Sequence, residues 1–311
     1  MRSSPVKLGI LDLCKRSGEK SPRQSLEETI CLAELGEALG YSRFWVAEHH
    51  TEEATQACPE VLVGLIAART QRIRVGAGGI LLGYYSPCKV AEVFLVLEAL
   101  FPGRIDLGVA RGPGVTSTEY ATSLVSGNRW ELCGSGFEHK VCELTHVLRE
   151  AHSPSTPGAS VILPRPWGVP PPPVWILGSS GNSAKLAAVL GRPYGFALFF
   201  GGTEGNEPPV LQEYRTGFVP SQEHTQPLAC VAVSIVCQES SASAHKWNED
   251  LVSRGYFRSN IIGNPRECAE RFCQIASTFE VPELILTTWI DKPGERRELF
   301  ELIAETFRLR D

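Results

Sequence analysis

The chain has 311 residues, 43% of them hydrophobic, with 30 basic against 35 acidic side chains and a formal net charge of −5. That is enough apolar material for a large core, and an α/β barrel of this size counts as one domain spanning residues 1–311. The slight acidity, without runs of like charge, excludes the electrostatic footprint of a nucleic-acid binder or of a protein drawn to an anionic membrane surface.

The ten cysteines contain no Cys-x-x-Cys pair and mostly lie inside apolar segments, which reads as buried free thiols rather than disulfides or metal ligands. That suits a reducing cytoplasm. Met1-Arg2-Ser3-Ser4-Pro5 leads directly into a strand-like run rather than a hydrophobic signal core. No apolar run approaches the roughly 18 residues of a membrane span. The expectation is a soluble, cytoplasmic protein.

In chain order, strands are predicted at Val6 to Leu13, Arg43 to Ala47, Ile73 to Ala77, Ile105 to Val109, Val174 to Leu177, Gly195 to Phe199, Leu228 to Val236 and Glu283 to Thr288. Helical periodicity fills the gaps: Leu26, Ile30, Ala33 and Leu35 after the first strand, Val61, Leu65 and Ala68 after the second, Val90, Phe94, Leu97 and Leu100 after the third. Later helices are predicted near Val141 to Leu148, Ser183 to Leu190, Val210 to Phe218, Arg266 to Ser277 and Arg296 to Phe307. Eight strands alternating with helices predict a (β/α)8 TIM barrel, whose active site belongs at the carboxyl ends of the strands. Two stretches interrupt the rhythm. Residues 112–136 are glycine-rich and follow the fourth strand; residues 153–173 are proline-rich and read as an extended connector. Lid-like insertions are expected after strands 4 and 7.

The second strand runs into Glu48-His49-His50, three titratable side chains at the functional face, with His49 a candidate acid or base that a neighbouring carboxylate orients. The third ends in Gly76-Ala77-Gly78-Gly79, which lets backbone approach a planar ligand and equally suits a bulge at a barrel rim. Arg111 follows the fourth strand among small residues. Its planar fork suits a phosphate, and a salt bridge to a nearby carboxylate accounts for it as well. Gly178-Ser179-Ser180-Gly181-Asn182-Ser183 opens a helix after the fifth strand, offering an anion site, with an ordinary N-cap by Ser179 or Asn182 as the competing reading. Arg111 and this helix start, on adjacent strands, together favour a phosphate. Tyr84, Tyr85, Trp130, Phe137, Phe199 and Phe200 are either pocket lining or core. No zinc, Walker or G-x-S-x-G motif occurs, so no metal is expected.

Trp45-Val46-Ala47-Glu48-His49-His50, Arg72 to Gly79, Ser86-Pro87 with Lys89 to Glu92, Pro102 to Gly108 and Trp175-Ile176-Leu177-Gly178-Ser179-Ser180 resemble the bacterial luciferase-like flavin monooxygenases over nearly the whole chain. The likeness is greatest to the single-polypeptide branch that includes natural-product tailoring oxygenases. It implies a barrel that takes reduced FMN (FMNH2) from a separate flavin reductase, reacts it with O2 to a flavin hydroperoxide, and oxygenates a small aldehyde or an aromatic, polyketide-type substrate.

By position, His49 matches the catalytic histidine of that family, and Glu48 its neighbour beside the flavin. Gly78 and Gly79 match a non-proline cis peptide under the isoalloxazine ring, and Arg111 the phosphate arginine. Ile176, Gly178, Ser179, Ser180 and Asn182 match the cofactor-binding stretch at the helix start. A homodimer through helices two and three is implied in the same way. Ala110 stands where luciferase has a reactive cysteine, and Gly83 where relatives commonly have proline. Gln238 to Gly263 is shorter than the mobile loop of luciferase, so shielding of the intermediate falls to residues 112–136. Two alternatives stay open: hydride transfer with a deazaflavin, and a flavin-binding relative without catalysis.

Overall fold

The computed structural model describes residues 6–16, 18, 20–112, 114, 118–124, 136–153, 164–200 and 209–309. Eight parallel strands join edge to edge: β1 (Lys7–Asp12), β2 (Arg43–Val46), β3 (Arg74–Leu81), β4 (Ile105–Ala110), β5 (Val174–Gly178), β6 (Tyr194–Ala197), β7 (Ala229–Cys237) and β9 (Glu283–Thr287). β9 lies between β7 and β1, which closes the cylinder. A further short strand, β8 (Ile261–Gly263), hydrogen-bonds β7 alone, along its carboxyl half. The helices are α1 (Pro22–Leu39), α2 (Pro59–Arg69), α3 (Pro87–Leu100), α4 (Thr118–Ser123), α5 (Phe137–His152), α6 (Gly181–Val189), α7 (Pro209–Thr216), α8 (Ser241–Ser253), α9 (Pro265–Thr278) and α10 (Pro293–Phe307). The fold is the expected (β/α)8 barrel.

Local chemistry sets the element ends. Ser21 and Gln24 form a reciprocal capping box at the start of α1, Pro22 occupies its first turn, and Gly40 ends it in the left-handed conformation. Asn264 and Glu267 repeat the box at α9. The barrel interior is charged at its amino end. Arg43 bonds Asp106 at 2.8 Å and Glu283 at 2.7 Å, and Arg74 reaches the other Asp106 oxygen at 2.6 Å. Trp45 donates its indole N–H to Asp106 at 3.0 Å and packs edge-on against Trp175, so an aromatic layer lies above the ionic one. Gly9 leaves room for this network: a β-carbon there would sit 2.7 Å from Cγ of Arg43.

Several expectations are corrected. In α2 the buried residues are Leu62, Val63, Ile66 and Ala67, whereas Val61 and Leu65 of the predicted stripe are 59% and 49% exposed. This helix is apolar on nearly every side, so periodicity does not choose its inner face. Leu100 of α3 is likewise exposed. The sixth strand stops at Ala197 and gives way to a 3-10 turn over Leu198–Phe200.

The segment Gln238 to Gly263 is a helix, α8, followed by β8. α8 buries only Ala244, Asn248 and Leu251, too weak a stripe to read from sequence. In the glycine-rich stretch after β4, the described residues include α4, while 113, 115–117 and 125–135, Trp130 and Cys133 among them, lie outside the description. Residues 154–163 of the proline-rich connector also lie outside it. The nine described cysteines are free thiols, but only Cys14, Cys230, Cys237 and Cys268 are buried; Cys31 and Cys273 sit on outward helix faces and Cys58 just ahead of α2. No described helix is long and apolar enough to cross a membrane.

Candidate active site

The carboxyl mouth gathers Glu48, His49 and His50 after β2, Gly78 and Gly79 in β3, Arg111 after β4 and Gly178, Ser179 and Ser180 after β5. Three residues of β3 step past two of β4 between Ala77 and Ile80, a bulge of one residue that centres on the glycine pair. The Gly78–Gly79 peptide bond is cis. A β-carbon on Gly79 would lie 2.7 Å from the Gly108 carbonyl oxygen, and one on Gly78 would lie 2.8 Å from Leu11 Cδ1. At Gly79 the obstacle is backbone, so only glycine fits; at Gly78 it is a leucine tip close against Trp45, and Gly78 keeps partial exposure.

Arg111 is exposed, and among the described residues no carboxylate pairs with it. Val109 of β4 stands opposite Ile176 of β5. Carrying that register two residues on brings Arg111 level with Gly178, beside Ser179 and Ser180. Ser180 holds the N-cap position of α6 without a side-chain cap bond, so the competing reading of a cap by Ser179 or Asn182 does not hold. Ser179, Ser180 and Asn182 are all exposed. A cationic fork, exposed hydroxyls and the amide end of a helix thus share one side of the mouth. Ile176 lies deeper: its side chain is fully buried and its N–H is bonded to the Pro193 carbonyl.

The carboxylate of Glu48 is buried and fully engaged by the protein. Leu81 N–H donates to Oε2 at 2.8 Å, and Tyr85 donates its hydroxyl to Oε1 at 2.9 Å. The imidazole it holds is that of His50, with Nε2 2.8 Å from Oε1. Two residues along an extended chain share a side, so His50 meets Glu48 while His49 faces the other way. Burial pushes the His49 imidazole below its ordinary value of 6.5, and the positive charges of Lys15 and of His50 when protonated push it further, so His49 is neutral at pH 7. Tyr84 meets the His50 ring edge-on at 5.8 Å.

The side of the mouth over β6 and β9 is aromatic. Phe199 lies 4.4 Å from Phe200 and 6.0 Å from Trp289, and Trp289 stacks on Tyr256 at 6.1 Å with Phe257 close by. Lys15 Nζ sits 3.8 Å above the Tyr256 ring and 3.3 Å from Glu53, and burial lowers its pKa. Of these rings only Phe199 and Phe200 stand out in the sequence as pocket candidates. Tyr256, Phe257 and Trp289 carry no local signal, since the small β7–β8 unit and the end of β9 bring them together. Phe137 is core.

Residues 6–255 match the family model of the luciferase-like monooxygenases. The chain belongs to the luciferase-like monooxygenase family. A luciferase-like monooxygenase of Escherichia coli K12 is 34% identical over 98% of this chain and 90% of its own length. The N-acetyl-S-alkylcysteine monooxygenase of Bacillus subtilis 168 is 33% identical over 96% and 98%. Among solved structures, apo-MsnO8 superposes with a TM-score of 0.84 at 30% identity, covering 98% of this chain and 99% of that one. At the level of fold alone, the likeness extends to the FMN complex of the oxygenating constituent of 3,6-diketocamphane monooxygenase from Pseudomonas putida (TM-score 0.71, 16% identity, 97% of each chain). It also extends to an F420-dependent secondary alcohol dehydrogenase in complex with an F420–acetone adduct (TM-score 0.64, 14%, 96% and 99%). As a luciferase-like monooxygenase the protein is an oxidoreductase, and its mouth is the place to look for the chemistry.

Proposed function

We propose that the protein is an FMNH2-dependent monooxygenase that uses O2 to oxygenate a small organic substrate, with reduced FMN supplied by a separate flavin reductase. The observation that carries this reading is Arg111, an exposed guanidinium without a carboxylate partner among the described residues, level with the hydroxyl-bearing start of α6. That donor set fits a phosphate monoester: a bidentate cation on one strand and helix amides with serine hydroxyls on the next. Arg111, Ser179, Ser180 and Asn182 would hold the phosphate. The backbone of Gly78, Gly79, Ile176 and Gly178 would hold the ring, with Glu48 as a neighbour whose carboxylate is committed to the protein. Reduced flavin supplies the two electrons that make dioxygen able to transfer an oxygen atom.

The rest is the work of the chain. His49, neutral and partly buried, accepts a proton at a ring nitrogen beside the ring site and returns it. Phe199, Phe200, Tyr256, Phe257 and Trp289 form an apolar wall that keeps water from the reacting atoms and receives an apolar substrate. The exposed apolar faces of α2 and α3, with Val61, Leu65, Val96 and Leu100, support a homodimer through these helices.

Fold likeness to the F420-dependent dehydrogenase favours one second reading, hydride transfer with a deazaflavin. Stopped-flow mixing of the protein with reduced FMN and oxygen, followed by a screen of aldehydes, polycyclic aromatics and S-alkyl thioethers, tests both. Oxygen consumption coupled to product supports the monooxygenase. Turnover with reduced deazaflavin alone, or no saturable FMN complex, overturns it.

A further inference from the structure

Lys140, in the first turns of α5, places its ammonium 3.2 Å from the Leu82 carbonyl, 2.6 Å from that of Gly83 and 2.9 Å from that of Tyr85. An ammonium has three hydrogens to give, and a single turn takes them all. That turn follows β3 and ends at Tyr85, whose hydroxyl donates to Glu48 Oε1, while Leu81 just before it donates its N–H to Oε2. Both ends of the turn therefore grip one carboxylate, and the same carboxylate holds His50.

We propose that Lys140 and Tyr85 are positioning residues that fix the Glu48–His50 pair, in which His50 carries its proton on Nε2. The tautomer follows from donor counting. Glu48 is out of water, and an ionised carboxylate there is stable only if each oxygen is met by donors. Tyr85 stays a donor because burial, and then the charge of Glu48, push its hydroxyl well above its ordinary range. The remaining contact, from His50 Nε2, must then supply a hydrogen as well, which leaves Nδ1 as the acceptor when the ring is neutral. Lys140 acts one step further out: it holds the turn that keeps Tyr85 and Leu81 on the carboxylate. The inference rests on the reading of this mouth as a flavin site only for its consequence on rate; the tautomer itself does not depend on flavin.

Nitrogen-15 NMR of the histidine-labelled full chain, with the His50 signals assigned by a His50→Gln variant, tests it. In the parent protein His50 is expected as the Nε2–H tautomer. In Tyr85→Phe and Lys140→Met the carboxylate is still only an acceptor, so the tautomer is expected to persist while the Nε2–H hydrogen bond to Glu48 loosens, read as an upfield shift of the Nε2 proton. Reoxidation of bound reduced FMN by oxygen should slow by about 10-fold in both, as for a loosened residue at the mouth, while the Kd for oxidised FMN stays parental. Tyr85→Phe keeps the ring and removes one hydroxyl, so it decides the question even if Lys140→Met fails to fold. An unmoved Nε2 proton in Tyr85→Phe overturns the proposal, as does an Nδ1–H tautomer in the parent. A shifted Nε2 proton in a protein that binds no FMN would uphold the clamp and sink the flavin reading instead.

Discussion

His50, and not His49, is the imidazole that Glu48 holds, with Nε2 2.8 Å from Oε1. The two adjacent histidines are thereby separated in role: one is pinned to a carboxylate, and the other is left partly buried and neutral among positive charges. A group of the second kind accepts protons at neutral pH.

The acid limb of activity should report that difference. His49 is held below 6.5 first by burial, then by Lys15 and His50, so oxygen consumption is expected to fall only as pH drops below 6.5. Lys15→Met removes a positive neighbour, and the limb should move up toward 6.5. His49→Ala, if folded and FMN-loaded, should lose about 10²-fold or more in rate and lose the limb. The sign for stability is the same: the unfolded chain takes the His49 proton more readily, so its contribution is present above 6.5 and is lost as pH falls through the folded value. A pH–rate profile of the three proteins checks this.

Arg111→Met should weaken binding of FMN while leaving riboflavin, which lacks the phosphate, untouched. Charge-assisted hydrogen bonds of this kind are worth about 1.5–3 kcal/mol, so the FMN Kd should rise about 10- to 100-fold. Fluorescence titration with both flavins separates the phosphate contact from ring binding.

Asp106 receives Arg43, Arg74 and Trp45 inside the barrel and is fully buried. Asp106→Ala leaves two guanidinium groups short of their carboxylate, which typically costs about 3–5 kcal/mol. A lower midpoint of urea unfolding, with the mouth residues untouched, is the expected result.

Leu65→Glu places a charge in the exposed apolar face of α2. Light scattering after gel filtration should show a dimer for the parent chain and a monomer for the variant, with FMN affinity retained.

The barrel was legible because each of its eight strands is an apolar run bounded by polar or turn residues, and all eight overlap the predicted runs; β1, β2 and β9 lie wholly inside them, whereas β3 continues through the glycine pair to Leu81, four residues past its predicted end. β8 escaped because three residues carry no period, and α8 because its apolar stripe is too thin. Val61 and Leu65 pointed to the wrong face of a helix with apolar residues all round. At the site, Glu48 and His49 stood out as neighbours in sequence, but two-residue spacing in an extended chain pairs Glu48 with His50. Lys140 was out of reach: its three carbonyl partners lie 55 to 58 residues away along the chain. The level placement of Arg111 with the start of α6 could be anticipated, since adjacent parallel strands end side by side.

β8 hydrogen-bonds only the upper half of β7, while β9 takes the lower half and completes the cylinder. Tyr256 and Phe257, on the approach to β8, therefore hang from an appendage that barrel closure does not require. With the aromatic wall as the proposed substrate face, exchanging that appendage between homologues would redraw the shape of molecule admitted while the ring of strands stays shut, a division of labour that would let selectivity diversify without renegotiating foldability.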